Sequence, residues 1–269
     1  MTPKKILFIS QEMLPYTDAT QMAYINRHLP QTLQSEGAEI RIFMPRWGVI
    51  NERRNQLHEV IRLSGMNIII NESDHPLIIK VASVPQSRMQ VYFIDNDDFF
   101  KGRGVLTDAD GNEYADNLQR AVFFARGVIE TVNKLFWIPD VIVCQGWVAS
   151  LAPVLMKTAY RNDPAFIDSK VVFQVDAIRP KLPPQEDFEA SLSQRGIDFE
   201  EIRSRGIDLT QSDAALRLAV SYSDAIVQAV SGAMPDLVKE AEAAKKPILR
   251  VKDIKKLRDI YTEFFDKLK

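Results

Sequence analysis

Apolar runs and helical stripes alternate from the start of the chain, which predicts alternating strands and helices. Lys5–Ser10 is a short, mostly apolar run of the kind found in buried parallel strands. In residues 22–33, apolar side chains recur at spacings of three and four, which predicts a helix that Pro30 should kink or end early. Residues 38–44 predict the next strand. Together these segments form a βαβ unit, for which we expect a right-handed crossover.

The rest of the pattern extends this unit into a larger sheet. Three β-type runs separated by turn residues predict a small antiparallel insertion, at residues 67–71, 77–83 and 89–95. A long helical stripe covers residues 118–135, and the turn-rich residues 180–210 should hold loops and short helices. Further strands are predicted at residues 141–144, Lys170–Val175, 225–230 and 247–251, with helices between them and a last helix carrying Ile254, Leu257, Ile260, Phe264 and Leu268. The fold class is therefore α/β: a doubly wound, Rossmann-like, mainly parallel sheet with helices on both faces.

Composition narrows the classes of partner. The formal net charge of the 269 residues is −2, so no basic surface favours nucleic acid or an anionic membrane. Cys144 is the single cysteine, which excludes an internal disulfide and a cysteine-rich zinc site. No uncharged apolar run approaches the roughly 18 residues of a membrane span. These features predict a cytoplasmic protein with no membrane and no nucleic acid partner.

Ligands of doubly wound sheets bind beyond the carboxyl ends of the strands. Here those tips fall at residues 11–21, 95–97, 145–148 and 176–179. The first tip lacks both the glycines and the lysine of a phosphate cradle, and Asp18 would repel phosphate. The sequence therefore predicts no dinucleotide and no other cofactor.

Several side chains of types that can act in catalysis or bind metals are better interpreted as structural residues. His28, His58 and His75 avoid the tips and lack metal-ligand spacing, so we expect surface positions. Residues 108–112 resemble part of a calcium loop, but the glycine is misplaced and a tight turn is the better interpretation. Cys144 should be a buried structural cysteine.

Two further positions lie beside predicted elements. Asp116 and Asn117 most simply cap the long helix through their side-chain oxygens. Trp147 follows a strand tip, where it serves equally well as core packing or as a wall for a sugar ring. From the residues alone, the chain therefore has a predicted fold but no predicted reaction.

An ordered set of short motifs resembles the N-terminal catalytic domain of bacterial glycogen and starch synthases, family 5 glycosyltransferases of GT-B fold. Singly these motifs are weak, but their order from Lys4 to about Lys239 is fairly specific. They are Glu12-Met13-Leu14-Pro15, Leu29-Pro30, Tyr114-Ala115-Asp116-Asn117 with Arg120 and Phe123, Pro139-Asp140-Val141, Trp147, Leu151-Ala152-Pro153, and Ser223-Asp224-Ala225-Ile226 with Ser231.

The resemblance implies a single domain over residues 1–269, with a C-terminal helix at 253–269 that packs back onto it. Family members have two Rossmann-like halves. The N-terminal half holds most of the glucan acceptor, and the other half supplies most of the ADP- or UDP-glucose site. Asp18 aligns with the family's phosphate-contacting lysine. Of the family's histidine-rich stretch only Trp147 remains, and Asp176 aligns with the histidine at the next tip.

These departures predict a synthase-like domain that is not active alone and that binds an α-glucan, a maltooligosaccharide or a partner enzyme in glycogen metabolism. A sugar nucleotide is not expected to bind without a second domain, and apolar surface left by a missing half would favour a homodimer. Two alternatives stay open: half of a split glucosyltransferase, or an unrelated Rossmann-like interaction domain. No catalytic residue and no metal ligand is assigned, and the predicted cleft residues are Glu12, Tyr16, Asp18, Thr20, Asp116, Asn117, Arg120, Gln145, Trp147 and Asp176.

Overall fold

A computed structural model describes residues 3–87, 89–184, 187–193, 196–253 and 256–268. Its strands are β1 (Lys5–Ser10), β2 (Glu39–Pro45), β3 (His58–Glu59), β4 (Met66–Ile70), β5 (Ser73–Ser83), β6 (Gln90–Asp95), β7 (Val141–Gln145), β8 (Lys170–Val175), β9 (Ala225–Gln228) and β10 (Ile248–Arg250). Its helices are α1 (Gln21–Ser35), α2 (Asp97–Phe100), α3 (Asn117–Lys134), α4 (Leu151–Lys157), α5 (Phe188–Leu192), α6 (Phe199–Ser204), α7 (Ala214–Tyr222), α8 (Pro235–Ala243) and α9 (Leu257–Lys267).

The sheet confirms the predicted fold class. Its strand order is β10-β9-β8-β7-β1-β2-β6-β5-β3, and β4 pairs with β5. The strands from β10 through to β6 run parallel, whereas β3, β4 and β5 form the antiparallel extension. The chain winds from β1 towards β2 in one direction and from β7 towards β10 in the other. The winding therefore reverses between β1 and β7, which is where such folds place their ligand.

Helices pack against the sheet in two groups. The group of α3, α4, α7 and α8 is contiguous, and α1 packs with α9. The buried side chains of α9 are Leu257, Tyr261, Phe264 and Phe265. The predicted helix over residues 253–269 is thus observed as Leu257–Lys267, while Ile254 and residue 269 of that prediction lie outside the described residues.

The local structure departs from the sequence pattern at two places. Pro30 does not end α1, which continues to Ser35, because Pro30 is itself buried and packing of the apolar face offsets the lost backbone hydrogen bond. The stretch after β6 contains the short helix α2, which the sequence pattern did not predict. Asn96 caps it, since its Oδ1 accepts from the N–H groups of Asp98 and Phe99 at 3.0 and 3.2 Å.

Candidate functional site

The tips of β1 and β7 are locked together at the point where the winding reverses. The Gln11 N–H donates to the Gln145 carbonyl at 3.0 Å, and Gln11 Oε1 accepts from the Val148 N–H at 3.1 Å. Gly146 has a φ of +86°, and a Cβ there would lie 2.6 Å from the Gln11 Cβ. Glycine is therefore required at this tip by both conformation and space.

A chain of buried polar groups connects the neighbouring strand ends. Ser10 Oγ donates to Gln145 Oε1 at 2.6 Å, and Gln145 Nε2 donates to Gln174 Oε1 at 3.2 Å. The same Gln174 oxygen accepts from the Tyr261 hydroxyl of α9 at 3.0 Å. The predicted site residue Gln145 is thus fully buried and fixes the strand tips rather than facing a cleft.

Two buried carboxylates flank Gly146. Glu12 Oε2 accepts from the Thr20 hydroxyl at 2.6 Å, and its Oε1 accepts from Gln11 Nε2 at 3.1 Å. Asp176, at the tip of β8, is 8% exposed; its Oδ1 accepts from the Ala177 N–H at 2.6 Å, but its Oδ2 accepts from none of the described residues. Burial raises the pKa of Asp176, and the charge of Glu12 adds to the rise.

An open cleft of about 510 Å³ begins at Glu12. Three loops form it: residues 12–20 after β1, residues 48–49 after β2, and residues 102–114 before α3. The predicted residues Glu12, Asp18 and Thr20 line this cleft, together with Thr17, Gly48, Val49, Gly102, Arg103, Gly104, Val105, Thr107, Asp108, Ala109 and Tyr114.

Arg120 holds one wall of the cleft from behind. Its guanidinium is buried and donates to the carbonyls of Phe99, Gly104 and Val105 and to Asn117 Oδ1, at 2.8–2.9 Å. It also lies 5.0 Å from the Trp47 ring. Burial lowers the pKa of Arg120 to about 10, so the side chain stays charged at neutral pH. Arg120 is therefore not exposed to a ligand in the cleft, although it shapes the loop that is.

Arg103 is the cationic side chain of the same wall, and the sequence analysis missed it. It forms a two-pronged ion pair with Asp116 and stacks over the Tyr114 ring at 4.2 Å. The hydrogen bond to Asp116 raises the pKa of Arg103. Its signal in the sequence was the Gly-Arg-Gly triplet at 102–104, which reads as a turn unless the position of Asp116 is known.

The predicted capping of α3 by side-chain oxygens is wrong. Asp116 is the N-cap residue, but its carboxylate makes no capping hydrogen bond because it pairs with Arg103. Asn117 instead accepts from Arg120 and donates from Nδ2 to the Leu106 carbonyl at 2.8 Å. Both side chains thus support the loop of the cleft wall.

Tyr16 and Trp147 do not line the open cleft. Tyr16 is 4% exposed, packs edge-on against Phe93 at 5.0 Å, and its hydroxyl lies 3.5 Å from the Ser83 carbonyl. Burial raises its pKa to about 12. Trp147 is 5% exposed and lines a separate small pit with Asn117 and residues 180–184. Trp147 therefore packs into the core and also forms one wall of a pocket.

The structure also shows the surroundings of Asp108, Cys144 and the three histidines. Asp108 closes a tight turn, as predicted, since its Oδ1 accepts from the N–H groups of Asp110 and Asn112 at 2.9 Å. Cys144 is buried, as predicted, which raises the pKa of its thiol. His28 and His58 are exposed, but His75 is half-buried against Phe99, because the antiparallel strands bring it onto α2.

The described residues contain neither a metal-binding cluster nor a membrane-spanning helix. No group of three or more His, Cys, Asp or Glu side chains among them is placed to hold a metal ion. Within the same residues, no helix is both long enough and apolar enough to span a membrane.

Comparison with known proteins adds a family match. The sequence model of the starch synthase catalytic domain matches residues 5–245. A glycogen synthase of Chlorobium luteolum is 40% identical over 190 residues, covering 70% of this chain and 39% of the relative. A glycogen synthase of Chlorobaculum parvum is 33% identical over 226 residues, covering 82% and 45%. The chain thus spans about two fifths of these relatives.

A solved structure shares the fold. The catalytic domain of starch synthase IV from Arabidopsis thaliana, bound to ADP and acarbose, superposes with a TM-score of 0.72 at 15% identity. The match covers 93% of this chain and 51% of that one.

Proposed function

Because the chain belongs to the starch synthase catalytic domain family, we propose that its strand-tip cleft binds an α-glucan and that the chain does not transfer glucose by itself. It is a glycogen and starch synthase-like glycosyltransferase domain. The alternative of an unrelated Rossmann-like interaction domain is wrong, since the family match covers residues 5–245.

The lining of the open cleft supports a sugar ligand. Its volume of about 510 Å³ is large enough for more than one sugar ring, and the acidic residues Glu12, Asp18 and Asp108 are among those that line it. Carboxylates accept charge-assisted hydrogen bonds from hydroxyl groups, which a glucan carries on every ring. The Tyr114 ring also lines the cleft, with the Arg103 guanidinium stacked over it at 4.2 Å. This acidic, partly aromatic lining is the observation that carries the proposal.

The same charges argue against a diphosphate. Among the described residues that line the cleft, Arg103 is the sole lysine or arginine, and Asp116 already engages it. Glycosyl transfer from a nucleotide requires stabilisation of the departing diphosphate, and losing one such donor commonly costs ~10²–10³ in rate. We therefore expect no turnover from this cleft alone.

Calorimetric titration with maltoheptaose and, in parallel, with ADP-glucose tests the proposal. We expect heat from the glucan and none from the nucleotide sugar. Asp18→Ala should weaken glucan binding by roughly tenfold or more, the value of one hydrogen bond to a charged group. Asp74→Ala, a matched exposed aspartate on β5, should bind as wild type. Equal affinities of these two variants, or no heat from the glucan, would overturn the proposal.

A split glucosyltransferase is the second candidate, because similar relatives are themselves named glycogen synthases. In that case, mixing this chain with a separate chain carrying the nucleotide-binding half should release ADP from ADP-glucose when glucan is present. Cytoplasmic location and a homodimer stay predictions, and gel filtration at high concentration tests the dimer.

A further inference from the structure

A proline-rich segment, the strap (residues 180–184), crosses the strand tips above Trp147. Its sequence is Pro-Lys-Leu-Pro-Pro, so Lys181 and Leu182 alone carry backbone N–H groups. Both donate to one side chain: the Lys181 N–H to Glu113 Oε1 at 2.9 Å and the Leu182 N–H to Glu113 Oε2 at 3.1 Å. Every amide donor of the strap thus ends on a single carboxylate.

The start of the strap is anchored separately. Arg179 donates to Asp236 Oδ1 and Oδ2 at 2.9 Å each and to Asp213 Oδ2 at 3.3 Å. These contacts fix the point at which the chain leaves the tip of β8. Releasing Glu113 would therefore free the middle of the strap while its origin stays in place.

A small pit lies beneath the strap. Trp147, Leu118 and Asn117 form its floor, and Pro180, Leu182 and Pro184 are among the strap residues that line it. The pit measures about 40 Å³, which leaves room for a few water molecules but not for a six-membered sugar ring.

Trp147 is incompletely satisfied in this closed arrangement. The side chain is 5% exposed, and its Nε1–H finds no acceptor among the described residues. A buried indole N–H normally has a partner, and leaving it unpaired is unfavourable. An acceptor delivered by a ligand would satisfy it, and the indole face beside it suits the apolar face of a sugar ring.

We propose that the strap is a lid that occludes a binding subsite at Trp147 and that Glu113 is its latch. When Glu113 releases the two amides, the strap lifts from the pit and the indole becomes accessible to a glucosyl ring. The identity of that ligand rests on the proposed function, whereas the opening itself does not.

Tryptophan quenching tests the lid without any sugar. Trp47 and Trp137 are 0% and 4% exposed, so acrylamide should quench the wild-type fluorescence weakly. Glu113→Ala removes the latch, and we expect the open fraction to rise roughly tenfold or more, since hydrogen bonds to a charged group are lost. Glu59→Ala, an exposed glutamate on β3, is the matched control and should quench as wild type.

Two further variants test whether the extra quenching comes from Trp147 and from the loss of the hydrogen bonds of the strap. Adding Trp147→Phe to the Glu113→Ala protein should abolish the extra quenching, since the other two tryptophans stay buried. Leu182→Pro removes one of the two donors from an exposed position and leaves Glu113 intact, so it should reproduce part of the effect without disturbing the core. Wild-type quenching in both Glu113→Ala and Leu182→Pro would overturn the lid.

The ligand is tested by calorimetry of the same variants with maltoheptaose. Tighter binding to Glu113→Ala than to Glu59→Ala, lost again with Trp147→Phe, supports a glucosyl subsite under the lid. Increased quenching with unchanged glucan affinity overturns the sugar assignment and leaves the lid standing. Failure of wild type to bind maltoheptaose at the open cleft is a separate result, which refutes the proposed function instead.

Discussion

Replacing Arg120 with methionine should both destabilise the protein and collapse one wall of the cleft. Methionine has a similar length and fits the apolar surroundings of Trp47, so the substitution removes the guanidinium rather than the packing. Three backbone carbonyls and Asn117 Oδ1 then lose their donor. A single buried acceptor left unpaired costs about 1–3 kcal/mol. The four costs do not add in full, because the loop relaxes and water enters. Summed over the four acceptors, this reduced cost gives an expected loss of about 3–5 kcal/mol in the free energy of unfolding.

The assay is urea unfolding monitored by circular dichroism, together with a thermal melt. At roughly 2–4 °C per kcal/mol for a domain of this size class, the melting temperature should fall by about 6–20 °C. Arg120→Lys keeps the charge but reaches fewer acceptors, so it should fall between methionine and wild type. A melting temperature of Arg120→Met within about 2 °C of wild type would refute the reasoning, because four unpaired buried acceptors should lower the free energy of unfolding by more than that.

Three further substitutions test the strand tips. Gly146→Ala places a Cβ against Gln11 at a positive φ, and urea unfolding should show a loss of about 2–4 kcal/mol; an unchanged midpoint would contradict the close approach. Tyr261→Phe removes one hydrogen bond to Gln174 and should cost about 1 kcal/mol by the same assay, with no change if the hydroxyl is immaterial. Asp176→Asn should stabilise the protein at pH 7 by on the order of 1 kcal/mol, because it removes a buried carboxylate with an unpaired oxygen. Since the folded pKa of Asp176 is raised, its contribution to stability is fully present at acid pH below the ordinary aspartate value and is lost as the pH rises through the folded pKa. The gain from Asp176→Asn should therefore vanish in unfolding curves measured near pH 3, and a gain that persists there would show that charge is not the cause.

Elements defined by their own side chains were predictable. Lys5–Ser10 and Lys170–Val175 match the observed strands at both ends, because each is a continuous apolar run bounded by charged or polar residues. The tip positions of Glu12 and Asp176 followed directly, since the residue after a parallel strand must lie at the carboxyl edge of the sheet.

Features defined by a distant partner were not predictable. Asp116 has the right residue type and position for a helix cap, but its carboxylate pairs with Arg103 instead. The local sequence pattern does not show that the loop carrying Arg103 reaches Asp116. The latch role of Glu113 depends on two amides that lie far along the chain. Tyr16 appeared to be a cleft residue because its loop follows a strand tip, but its ring turns inward onto Phe93. In each case the deciding contact joins two different segments of the chain. Hydrophobic periodicity and motif spacing carry no information about such contacts.

The reversal of winding between β1 and β7 also sets the order in which the sheet can form. β1 pairs with β2 after a single helix, with Ile6 opposite Ile40, but its other neighbour places Val141 opposite that same Ile6. During folding, the hydrogen-bonding edge of an apolar strand stays bare until a segment more than a hundred residues further along arrives. Long-range pairing of this kind slows folding and leaves intermediates with exposed edges that other chains can join. The point where the winding reverses and the kinetic weak point of this protein are therefore the same pair of strands.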